Sequence, residues 1–298
     1  LTPWDPELLA RIHHLHLVSK RVVDSLQHGA HRSLHLGSAV EFSDYQEYCP
    51  GDPLKNLDWK VLGRTDRLVI RRFEAETELA CNLVVDVSGD LGTGASGLSD
   101  RPALDGSKYG HSLCLAASLA AFLIRRGEPV GLHVLGSDKE IRMAPRTGRS
   151  HLARMMAALA DVRPEGRADL GRCLGELGPR MRRRSLVVIV SDFMEEPGEW
   201  TEELAAFGRR GTDLVGFHVM DRQEMSLDFQ EPSLLYSPEG GADISLDPVG
   251  AQGEFLAIAA AWREEVRGAF VRQGGRAYET WTDRPLHEVL RRMIEGRP

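Results

Sequence analysis

The apolar runs at residues 79–87, 130–135, 185–190 and 214–219 restrict this chain more than any other feature. Each is short and rich in Val, Ile and Leu, which predicts a strand buried on both faces. Segments with helical spacing of apolar residues separate them, at 108–125, 150–160, 169–182 and 199–209. Ser150 reads as the cap of the second. Residues 141–144 read as a further short strand, and a helix at 252–273, a strand at 277–281 and a helix at 284–294 complete the pattern. Strands alternating with helices predict an α/β fold with a doubly wound, mostly parallel sheet.

Upstream, apolar residues at Leu8, Leu9, Ile12, Leu15, Val18, Val22 and Leu26 predict a helix over residues 5–26, with Asp5 as N-cap and Pro6 at the first helical position. His13 and His14 in this stretch diverge by about 100° on a helix, so with His16 they read as solvated or packed rather than metal-bound. Residues 29–63 are irregular and rich in Gly, Pro and aromatics, before a strand-like run at 67–73. Residues 232–248 are again turn-rich. The chain is thus expected to divide into an N-terminal extension, residues 1–76, and a sheet domain, residues 77–298.

Composition removes several function classes. The net charge of −7 argues against unspecific nucleic-acid binding, which needs a basic face to release counterions. The basic run at Arg180, Arg182, Arg183 and Arg184 closes a predicted helix, where cations suit the dipole. The cysteines, Cys49, Cys81, Cys114 and Cys173, show no CxxC pair; the last three fall in predicted elements as buried small hydrophobes. Unpaired thiols suit a reducing compartment. No apolar run approaches the roughly 20 residues that span a bilayer. Asp5, Glu7 and His13 interrupt any signal-peptide pattern. A cytoplasmic protein without membrane insertion is expected.

Ligands of a doubly wound sheet collect at the carboxyl ends of its strands. Two strands carry acidic and hydroxyl groups there: Asp86-Val87-Ser88-Gly89-Asp90, and Ser191-Asp192 after the run at 185–190. Such hard oxygens suit Mg²⁺, Mn²⁺ or Ca²⁺, and equally suit the capping of the loops and helices that follow. The glycines Gly92, Gly94 and Gly97 match GxGxxG literally, but an acidic loop precedes them and no helix follows directly, so they do not read as a dinucleotide loop. They read as part of a mobile loop, residues 89–106, over the strand edge. A Mg²⁺-dependent phosphohydrolase with Asp86 as nucleophile is the catalytic alternative, for which Asp90 and Lys108 or Lys139 are formally available. No GxSxG elbow, HExxH or P-loop accompanies it.

Asp86-Val87-Ser88-Gly89-Asp90 resembles the DxSxS metal-ion-dependent adhesion site of von Willebrand factor A domains, and Ser191-Asp192 resembles that site's later strand-end aspartate. The upstream residues Glu41-Phe42, Tyr48, Gly51-Asp52 and Asp58-Trp59 are similar to the signature of domain-of-unknown-function family fifty-eight. Arg71-Arg72-Phe73-Glu74 and Thr282-Asp283 with Pro285-Leu286 match its lead-in and tail, so the resemblance spans almost the whole chain. It implies a von Willebrand factor A fold and a non-enzymatic, protein-binding adaptor. The implied partners are a MoxR-type AAA+ ATPase and its client proteins, with an acidic or backbone ligand received at the strand edge. Gly51-Asp52 reads as a turn, and Asp58 and Trp59 as fixing the extension to the core or binding a partner. Two positions depart from the family: Asp90 stands where serine is usual, and Ala168 where a threonine ligand is common. Either Asp90 coordinates directly, or Arg167 supplies positive charge in place of the metal. Mg²⁺, or Mn²⁺ or Ca²⁺, is therefore expected to be weakly held or absent.

Overall fold

Strands without a polar face need cover on both sides, and that need sets the architecture. A computed structural model describes residues 6–29, 42–48, 59–65, 67–73, 79–92, 106–137, 139–181, 185–226, 233–235, 244–246 and 248–297. In chain order the elements are α1 (Pro6–Gly29), β1 (Phe42–Glu47), α2 (Trp59–Thr65), β2 (Val69–Phe73), β3 (Ala80–Asp86), α3 (Lys108–Arg125), β4 (Val130–Leu135), β5 (Ile141–Arg146), α4 (Arg149–Asp161) and α5 (Leu170–Leu177). There follow β6 (Ser185–Ser191), α6 (Pro197–Arg209), β7 (Asp213–Met220), α7 (Arg222–Ser226), β8 (Ser233–Leu235), β9 (Ile244–Leu246), α8 (Pro248–Val271), β10 (Arg276–Trp281) and α9 (Leu286–Glu295).

The main sheet has six strands in the order β10-β7-β6-β3-β4-β5. All pairs are parallel except β4 with β5, which are antiparallel. The α/β, doubly wound, mostly parallel fold expected from the sequence is the fold observed. From β3 the chain crosses to β4 on one side, and from β6 to β7 on the other, so β3 and β6 flank the topological switch point. Both strands are buried at every residue. Right-handed crossovers in opposite directions place helices on opposite faces. On one face, Leu174 of α5, Trp200 and Phe207 of α6 and Phe270 of α8 pack with Val84, Val187 and Ile189.

On the other face lies α3, buried from Lys108 through Ile124. A helix apolar all round needs cover on its outer side as well, and α1 supplies it through Leu15, Val22, Val23 and Leu26. Arg11 of α1 donates to Tyr109 Oη at 2.5 Å and to the Val162 carbonyl at 2.9 Å, fixing the contact. Helix α1, which the sequence places in the extension ending at residue 76, therefore packs within the sheet unit, and the separate unit is Ser33–Leu79. That unit contains the antiparallel pair β1–β2, with a bulge between Phe42 and Asp44, and α2. Of the signature residues, Phe42 opens β1, Tyr48 follows it with its N–H on the Leu68 carbonyl at 3.0 Å, and Trp59 opens α2. Trp59 is 66% exposed. Glu41, Gly51, Asp52 and Asp58 lie outside the described residues, as do Cys49, the proposed cap Asp5 and most of the glycine-rich loop.

Local chemistry corrects some boundaries. Ser150 lies inside α4, whose N-cap is Gly148. The predicted helix at 169–182 ends at Leu177, because Pro179 has no N–H to continue it, and a 3-10 turn follows. Asp169 caps this helix, accepting from Arg172 N–H at 2.8 Å. Cys81, Cys114 and Cys173 are buried thiols. Among the described residues no helix is long and apolar enough to cross a membrane.

Candidate functional site at the topological switch point

Register brings the acidic strand ends together. Val85 of β3 pairs with Val190 of β6, so continuing both strands sets Asp86 beside Ser191, with Asp192 next. At Asp86 the chain turns, and Ser88 donates back to Asp86 Oδ1 from its N–H at 2.9 Å and its hydroxyl at 2.7 Å. Ser191 donates its hydroxyl to Asp86 Oδ2 at 2.7 Å and accepts the Phe193 N–H at 2.9 Å. Ser88 Oγ also lies 2.8 Å from Asp90 Oδ1. A hydroxyl carries one proton, so it serves one of these carboxylates at a time. Burial, followed by the charge of Asp192, pushes Asp86 up to about 7 against the hydrogen bonds from Ser191 and Ser88. Burial and then Asp192 also raise Asp90.

The loop that carries Ser88 has no room to shift. Gly136, at φ +65°, lies so close that a Cβ there would stand 2.6 Å from Ser88 Cα and N. Gly89 N–H donates to the Gly166 carbonyl at 2.9 Å on the other side. The loop after β6 is held as firmly. Phe193 has φ +53° and is the one described non-glycine residue with positive φ. Such strain costs about 1–3 kcal/mol and persists only when surroundings over-determine it. The Phe193 ring meets Trp200 at 5.2 Å and His218 and Phe270 at 5.7 Å, and those contacts hold it.

A cation completes the cluster. Lys108, at the first position of α3, is only 3% exposed. Its Nζ lies 2.8 Å from Asp192 Oδ2 and 2.8 Å from Glu224 Oε2 of α7. A helix N-terminus repels positive charge, so this lysine is placed by its partners and not by its helix. Burial alone would lower its pKa, but the charges of Asp192 and Glu224 outweigh burial and hold it above the ordinary lysine value. Glu224 is itself raised by burial, against the pull of Lys108.

All four tentative metal residues therefore meet at one edge: Asp86, Ser88, Asp90 and Asp192. Arg167 is exposed and lines an adjacent groove of about 510 Å³, with Lys139, Glu165 and Arg172; Ala168 is half-buried nearby in sequence. The ammonium on Asp192 is that of Lys108. Sequence reasoning names Lys108 only as a phosphate partner and does not single out Glu224. The available signal was a lysine opening a predicted helix, on the wrong side of its dipole.

The donor set does not fit a resident divalent ion in this arrangement. Both oxygens of Asp86 accept hydrogen bonds, Oδ1 from the Ser88 N–H and Oδ2 from the Ser191 hydroxyl, and Asp192 holds an ammonium on one oxygen and the Met194 N–H, at 3.3 Å, on the other. Among the described residues, no three His, Cys, Asp or Glu side chains converge closely enough to hold a metal ion. Two unit charges about 4 Å apart interact by about 4 kcal/mol at an effective dielectric of about 20. A dication sharing Asp192 with Lys108 would meet about twice that as repulsion.

The family model described as "Protein of unknown function DUF58" matches residues 44–263. Uncharacterized proteins of Mycobacterium tuberculosis and Mycobacterium bovis are each 30% identical over 300 residues, covering 98% of this chain and 90% of their own length. Similar solved structures include a conserved hypothetical protein, BatB, from Bacteroides thetaiotaomicron, with TM-score 0.43, 11% identity, and coverage of 73% of this chain and 98% of that one. The SpRpn10 VWA domain is similar at TM-score 0.40 and 11% identity, covering 72% of this chain and 94% of that one. The chain belongs to the DUF58 family.

Proposed function

We propose that this DUF58 protein is a non-enzymatic, protein-binding adaptor in the cytoplasm, assisting a MoxR-type AAA+ ATPase in the maturation or assembly of client proteins. The ATPase and its clients are carried by the family resemblance. The binding role draws its main support from one observation: the polar groups at the β3/β6 edge hold one another in place. Asp86 accepts from Ser88 and Ser191, and Lys108 is shared by Asp192 and Glu224. The part of this cluster that meets solvent is acidic, Glu224 with its side chain 33% exposed, and backbone amide donors of a partner suit it better than a carboxylate, which needs a bridging cation. Met194, two residues beyond Asp192, is 59% exposed and gives the rim an adaptable apolar contact.

Co-precipitation of the purified chain with a MoxR-type ATPase tests this. Met194→Asp is expected to weaken the complex by about tenfold or more, the loss typical of an interface anchor. Undiminished binding by a folded Met194→Asp protein would remove the cleft from the interface.

One observation favours the phosphohydrolase alternative: Lys108 does lie in the cluster with Asp86 and Asp90. Against it, Asp86 is 3% exposed and both its oxygens are engaged. Phosphatase turnover in Mg²⁺ that disappears in Asp86→Asn would replace the adaptor with an enzyme.

A further inference from the structure

Asp86, Ser88, Asp90 and Asp192 are gathered at the β3/β6 edge, yet they are already engaged. A buried lysine is tolerated only when paired and hydrogen-bonded. Lys108 meets that condition through groups from two other places in the fold, Asp192 after β6 and Glu224 in α7. No local preference of α3 would put it there, since Ser107 already caps the helix by accepting the Gly110 N–H at 3.0 Å. The triad is thus a product of tertiary structure, and it consumes the strand-end aspartate that a divalent ion would require.

We infer that Lys108 is the resident cation of this cleft: its ammonium does at Asp192 what a divalent ion does in metal-dependent versions of the site. The cleft therefore works without metal, and a divalent ion must displace Lys108 to enter. This deepens the adaptor reading by stating what recognition at that edge depends on, and it is tested on the isolated chain, with no partner present. Removing the ammonium leaves the carboxylates of Asp192 and Glu224 facing a vacated volume, hard oxygens of the kind that take Mg²⁺ or Mn²⁺ with water completing the shell.

The experiment is a titration of chelator-treated protein with Mn²⁺, followed by calorimetry and by the metal dependence of the melting temperature. Wild type and Lys108→Arg are expected to be silent. Lys108→Ser is expected to bind one Mn²⁺ at least about tenfold more tightly than wild type and to melt higher when Mn²⁺ is present. Lys108→Met, which keeps the apolar stem, guards against a serine variant that does not fold. Stoichiometric Mn²⁺ binding by wild type overturns the inference, and so do folded Ser and Met variants that both stay silent. Should neither variant fold, the wild-type titration decides: silence supports the inference and binding overturns it. Loss of ATPase binding with these metal results intact would sink the adaptor instead.

Discussion

Two clusters in this molecule each join one cation to two carboxylates, and they differ in almost everything else. At the switch point, Lys108 bridges Asp192 and Glu224, with the side chains of Lys108 and Asp192 only 4% and 5% exposed. At the far edge strand, Arg142 of β5 bridges Glu140 and Glu176, with Arg142 34% and Glu140 56% exposed. Water screens the second cluster, so its pairs contribute little. In the first, Lys108 and Asp192 are taken out of water while Glu224 keeps its side chain 33% exposed, and the two buried charges depend on each other. Counting ion pairs would rank the two as equals. Burial makes one of them a constraint on the fold and the site, and the other a solvated surface feature.

The sharpest way to break this comparison is to neutralise one acid of the buried cluster. Asp192→Asn leaves a buried ammonium with one partner, and removing half of a buried pair costs about 3–5 kcal/mol. Urea unfolding followed by circular dichroism reads that loss directly. A loss below about 1 kcal/mol would put the switch-point cluster in the class of surface pairs, and the contrast would fail.

The sequence made one half of this site legible and hid the other. Asp86 and Asp192 end apolar runs whose type and length predict buried strands, so their placement at a strand edge follows from periodicity. Side-by-side pairing of those strands follows from the doubly wound order. Lys108 and Glu224 lie outside these strand ends, and only the three-dimensional path through α3 and α7 brings them to Asp192. The outer layer was hidden for a similar reason. Helix α1 shows a plain helical period, but nothing local says that α3 is its partner and not an independent extension. The antiparallel pair β8–β9, at Ser233–Leu235 and Ile244–Leu246, escaped because strands this short have too few residues to show alternation. Pro179, plain in the sequence, stops the helix that apolar spacing alone would carry to residue 182.

A finer test uses acidity inside the buried cluster. Asp86 has a folded pKa raised to about 7, above its ordinary value of 3.8, so the folded chain holds that proton more tightly than the unfolded chain. As pH rises from about 4 to about 7, the unfolded state releases it first, and stability falls through that window before levelling. Buried His111, His133 and His218 act in the opposite sense. Burial lowers each from 6.5 to about 4, so their contribution is present above about 6.5 and is lost as pH falls toward 4. The two trends oppose each other in wild type, and the difference between wild type and Asp86→Asn isolates the carboxyl. The Asn variant is expected to gain on wild type steadily between about pH 4 and pH 7 in urea midpoints, with no further gain above. A difference that does not change with pH would mean that Asp86 titrates as an ordinary exposed acid, and the cluster would lose its claim to be dry.

The smallest expected effect lies at the exposed cluster, where the contrast needs a near-zero result. Arg142→Ala removes its guanidinium from Glu140 and Glu176 together, although Glu176 keeps Arg172 at 3.7 Å, so it deletes as many pairs as a change at Lys108 would. Hydrogen bonds donated to both glutamates hold the Arg142 pKa above its ordinary value, and its guanidinium lowers that of Glu176, so the contacts themselves are real. Their contribution is nevertheless cancelled by screening and by the entropy of holding long side chains in one geometry. Scanning calorimetry is expected to show a change in Tm of less than about 2 °C. The same change at 1 M salt should be smaller still, because the screening length falls to about 3 Å. A Tm drop as large as that of Asp192→Asn would show that pairing, and not removal from water, sets the value of a charge cluster in this fold.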